Sequence, residues 1–67
     1  MSLLQITLES GAVLTMKIDM TALEFEDFIR DYLENDKFAL TIGTDNGIVY
    51  IPYKIALSAV YQIFDND

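Results

Sequence analysis

The sequence predicts an α+β fold: an antiparallel sheet of two hairpins plus a closing strand (β-β-α-β-β-β), with one amphipathic helix packed on one face. Three observations predict it. Apolar residues alternate with period two on both sides of Ser10-Gly11-Ala12. They then switch to a helical period over Thr21–Glu34, and Asn46-Gly47 follows as a hairpin signal between two further alternating runs. An antiparallel sheet with its apolar face covered by the helix is the economical way to bury these stripes. The 67 residues are read as one small domain, 1–67.

In the first segment, Leu4, Ile6 and Leu8 fall on one side and Gln5, Thr7 and Glu9 on the other. Val13 to Asp19 alternates again, with Leu14, Met16 and Ile18 inward. Two half-buried strands around a glycine-containing turn form a hairpin. From Thr21 to Glu34, Phe25, Phe28, Ile29, Tyr32 and Leu33 recur at the spacing of one helical face. Thr21 and Glu24 form a T-x-x-E capping box, Met20 and Phe25 have the spacing of a hydrophobic staple, and Asn35-Asp36 offers a left-handed stop.

Phe38, Leu40 and Ile42 then point inward on a strand. A two-residue Asn46-Gly47 loop sets Asp45 opposite Ile48, Ile42 opposite Ile51 and Leu40 opposite Tyr53, with Val49, Ile51 and Tyr53 toward the core. Pro52 ends this strand or puts it on an edge. The last segment reads as a short turn over Tyr53–Leu57 and a closing strand from about Ser58 to Phe64; a C-terminal helix is the alternative. Asp65-Asn66-Asp67 reads as a fraying tail.

Composition narrows function by exclusion. With no cysteine and no histidine, disulfides, thiolate sites and Ser-His or Cys-His pairs are impossible. No Walker A or G-x-G-x-x-G run occurs, and the Asp45 and Asp65 fragments lack the twelve-residue frame of a calcium loop. No catalytic residue, cofactor or metal is therefore expected, and an enzyme survives only as a carboxylate-based reading. Eleven acids against Lys17, Arg30, Lys37 and Lys54 give a net charge of -7, which repels phosphate backbones and anionic leaflets. No nucleic acid and no membrane is expected as a direct partner. No apolar run suits a bilayer, and Met1–Gln5 has no basic n-region, so a cytoplasmic location is expected.

Two surfaces remain. Glu24, Asp27, Asp31 and Glu34 form an acidic stripe along the helix, a docking strip for a basic, nucleic-acid-binding protein. Val13, Thr15, Thr41, Ile48 and Tyr50, with Gln5, Thr7 and Ala39, face away from the helix and suit self-association; if the last strand is an edge, strand addition between subunits is another route. The expected function is an interaction or structural module that self-associates as a homo-oligomer; the alternative is an acidic inhibitor or adaptor on a basic partner. A chain this short with an apolar fraction of 52% gains most from a second copy.

Overall fold

The computed structural model describes residues 2–65. Its elements are β1 (Ser2–Thr7), β2 (Val13–Ile18), α1 (Ala22–Asn35), β3 (Leu40–Thr44), β4 (Gly47–Ile51), α2 (Tyr53–Ser58) and β5 (Val60–Asp65). The fold is α+β with antiparallel strands and one main helix. The strands form two sheets: β1 lies between β2 and β5, and β3 pairs with β4. β3 adjoins β2 without a hydrogen-bonded ladder, so the single expected sheet is interrupted at that seam.

Alternation in the first hairpin buries Leu4, Ile6 and Ile18 and half-buries Leu14 and Met16. Gly11, at φ 96°, turns the chain between β1 and β2, and the loop closes where the Leu8 amide donates to the Ala12 carbonyl at 2.8 Å. α1 begins as its sequence requires. The Thr21 hydroxyl accepts from the Glu24 amide, and the Glu24 carboxylate accepts from the Thr21 amide at 2.8 Å. Phe25 and Tyr32 are buried, and Phe28 and Ile29 half-buried. Leu33, at the margin of the stripe, is 39% exposed.

The helix does not end in a left-handed residue. Asp36 is extended, its amide donates to the Tyr32 carbonyl, and the Asn35 side chain folds back onto Asp31 instead of supporting a positive φ.

The second hairpin differs from its predicted register. Thr44 pairs with Gly47, Ile42 with Val49 and Leu40 with Ile51, so Asp45-Asn46 makes the corner. Asn46 does not take a positive φ; Gly47 alone does, at 136°, while the Thr44 hydroxyl accepts from the Asn46 amide and donates to the Gly47 carbonyl. The shift along β4 is by two residues, which keeps each side chain on its face; Leu40, Ile42 and Ile51 are therefore still buried.

Phe38 does not face inward: it is 80% exposed. The ladder stops at Leu40–Ile51, and the residue that would face Phe38 on the next hydrogen-bonded rung, Tyr53, is the first residue of α2, so nothing holds Phe38 in strand alternation. Beyond Pro52, the expected turn is a six-residue helix, α2, with Ala56 buried, and β5 follows as a strand.

The C-terminal segment is structured through Asp65; Asn66 and Asp67 lie outside the described residues. One Asp65 carboxylate oxygen accepts from the Ser2 hydroxyl at 3.1 Å and from the Ala22 amide at 2.8 Å, joining β5, β1 and the start of α1.

Tyrosines close two other gaps. The Tyr32 hydroxyl donates to the Phe38 carbonyl, and the Tyr61 hydroxyl donates at 2.8 Å to the Ala56 carbonyl, one of those left free at the end of α2. The Tyr61 ring also packs on Phe25, centroids 6.3 Å apart.

Candidate functional site

The acidic stripe is on the outside, as helical spacing dictates: Glu24, Asp27, Asp31 and Glu34 are all exposed. Much of it is engaged within α1. Glu24 closes the capping box, Asp27 lies 3.7 Å from Arg30, and Asp31 accepts from the Asn35 side chain at 2.9 Å. Arg30 also reaches Glu26 at 3.2 Å, while Glu34 has no ion pair among the described residues. Of the four, Glu34 alone makes no side-chain bond among the described residues, so a basic partner would meet a stripe whose acids are already largely paired or capped.

Val13, Thr15, Thr41, Ile48 and Tyr50, expected to support self-association, are exposed too, with Gln5, Thr7 and Ala39 half-buried, but the five divide between the two sheets. Thr41 and Tyr50 are register partners, and Ile48, two residues from Tyr50, is on the same outer face of the β3–β4 hairpin. Ile48 is 73% exposed and Tyr50 70%, with no charged side chain between them. Val13 and Thr15 are on β2, paired with Thr7 and Gln5. A shallow cleft lies where Thr15 and Lys17 meet the Asp45-Asn46 corner.

A further surface was legible in the sequence only as a condition on where the last strand lies. β5 is an edge strand, and the groove between it and α1 is lined by Ala22, Leu23, Phe25, Ile29, Tyr61 and Ile63, with Glu26 at the rim. At about 270 Å³ and open on one side, it is smaller than the ~300–1,000 Å³ of small-molecule pockets and suits protein side chains. Its signal in the sequence was weak. Tyr61 and Ile63 alternate correctly, but which strand lies at an edge depends on long-range pairing.

Among the described residues, no group of three acidic side chains is close enough to hold a metal ion, and no buried side-chain nitrogen or oxygen lacks a hydrogen bond. Among the described residues, no helix is long and apolar enough to cross a membrane. The groups with shifted pKa values are tyrosines. Burial raises Tyr61 to about 12, with Tyr32 adding to the effect; burial also raises Tyr32, helped by Tyr53 and Asp36. Neutral phenols that donate to carbonyls are structural staples, since an ionised ring could not donate.

Comparison of the chain with family models, curated proteins and solved structures finds no match.

Proposed function

We propose that this chain is a small protein-interaction module that self-associates through uncharged surface. The observation that supports this best is the separation of charge from exposed apolar groups. Glu24, Glu26, Asp27 and Asp31 of α1 are tied to Arg30, Asn35 and the capping box, whereas Ile48 and Tyr50 on β4 and Val60 and Phe64 on β5 stand in water with no charged residue in the strand between them. Two copies of a chain with net charge -7 repel one another, so only a charge-free patch lets them approach closely. A thin core gains from covering such a patch, because apolar area removed from water stabilises by about 25 cal/mol per Å².

Light scattering coupled to size-exclusion chromatography, run from low to high micromolar concentration, tests this reading. The expected result is a mass that rises above the 7.6 kDa of one chain as concentration increases. A mass fixed at one chain throughout removes it.

A further inference from the structure

On the reading that the chain self-associates, we infer that the contact is β5 against β5 of a second copy, joining two three-stranded sheets into one. β5 runs for six residues in unbroken register with β1, from Ser2–Asp65 to Thr7–Val60, so no bulge disturbs it. Among the described residues no strand pairs with its other edge. Natural edges are protected by lysine, proline, a bulge or an inward charge. Val60-Tyr61-Gln62-Ile63-Phe64 has none of these, and the one charge of β5, Asp65 at its end, is turned to Ser2 and Ala22 of its own chain. The other edges are better guarded. β2 carries Lys17 and adjoins β3, and β4, also uncharged, is shorter and stops at Pro52.

The second copy is the occupant because this surface is its own complement. An antiparallel pair related by a two-fold axis normal to the sheet keeps outer faces on the same side. With Gln62 opposite Gln62 on the axis, Val60 of each copy opposes Phe64 of the other on the outer face, and Tyr61 opposes Ile63 on the inner face. Every apolar side chain of the strand then meets an apolar one, and such cross-strand pairs are the unit of sheet stabilisation. Moving the register by one rung in one direction sets Asp65 against Tyr61, and in the other leaves Phe64 without an apolar partner.

The flank of α1 fits the same symmetry. It presents Glu26 and Arg30, one acid and one base that are 3.2 Å apart in a single copy, beside the apolar groove. A two-fold axis sets like flanks side by side, and a flank carrying both signs can pair with itself, as a purely acidic one could not. The groove over Phe25, Ile29, Tyr61 and Ile63 then lies next to the joint, where the second copy shields it from water.

The test uses the side chain on the axis. Gln62 is exposed, so its substitution leaves the core untouched. Gln62→Lys and Gln62→Glu each place like charges opposite one another in the dimer, weakening it by at least about tenfold, since like-charge juxtaposition is strongly unfavourable. Gln62→Thr retains association. Mixing the Lys and Glu variants restores a dimer containing one of each, because only on a two-fold axis does the residue face itself. Sedimentation velocity reads all four, with circular dichroism showing that each variant is folded.

If the wild-type chain is monomeric, the self-association reading falls and this inference with it. If it dimerises but Gln62→Lys dimerises equally well, the β5 joint is wrong and the reading survives. In that case loss of the dimer in an Ile48→Thr/Tyr50→Thr variant assigns it to the hairpin face.

Discussion

Asp65→Ala removes one oxygen shared by three elements. The Ala22 amide at the start of α1 loses a charge-assisted hydrogen bond, a class that contributes about 1.5–3 kcal/mol; the open helix end lets water replace part of it. The Ser2 hydroxyl has no such relief. Ser2 is 2% exposed and its acceptor is Asp65, so the variant leaves a buried donor unpaired at a cost of about 1–3 kcal/mol. Allowing for rehydration at Ala22, a loss of roughly 2–3 kcal/mol is expected. In a domain of this size that lowers Tm by about 10–20 °C.

Urea unfolding followed by far-ultraviolet circular dichroism measures the change. Adding Ser2→Ala removes the stranded hydroxyl, so the double variant should be more stable than Asp65→Ala alone, by about 1 kcal/mol. Stability within about 0.5 kcal/mol of wild type for Asp65→Ala, or strict additivity of the two substitutions, would refute the clamp.

Thr21→Ala should cost about 1 kcal/mol in the same assay, because it opens the capping box at the Glu24 amide. Arg30→Ala should change stability by less than about 0.5 kcal/mol, since both of its ion pairs are exposed. Tyr61→Phe should cost about 0.5–1.5 kcal/mol near neutral pH by leaving the Ala56 carbonyl without its donor.

The same residue governs alkaline behaviour. Above pH 10 the unfolded chain releases the Tyr61 proton, while the fold holds it to about 12. The unfolded state then binds fewer protons, and stability falls with rising pH across that window. Thermal melts through the window should show a shallower decline in Tyr61→Phe; an identical slope would separate Tyr61 from the effect.

Local patterns in the sequence were read correctly where local physics decides them. Thr21-x-x-Glu24 needs only its own backbone to form a cap, and Phe25 and Tyr32 need only helical period to share the core face. The hairpin register failed because Asn46-Gly47 and Asp45-Asn46 are both good corners. The choice fell on the one in which glycine alone takes the positive φ. Phe38 was misplaced because alternation was extended past the last rung of the hairpin, where its would-be partner Tyr53 already belongs to α2.

The Asp65 clamp, with its partners 63 and 43 residues away in sequence, was illegible, and the open edge of β5 legible only as a condition, for one reason. Each depends on which distant strands become neighbours, and period-two alternation carries no information about that. The acidic stripe was legible as a stripe, but its engagement by Arg30 and Asn35 depends on rotamers that spacing alone leaves free.

The salt dependence of the solution mass is the most direct test that copies of this chain meet on uncharged surface. Sedimentation equilibrium at low and at high sodium chloride should show association strengthening with salt, because screening removes the repulsion between chains of net charge -7 while leaving apolar contacts intact. Association that weakens as salt rises, or a single-chain mass of 7.6 kDa at both salt levels, contradicts it.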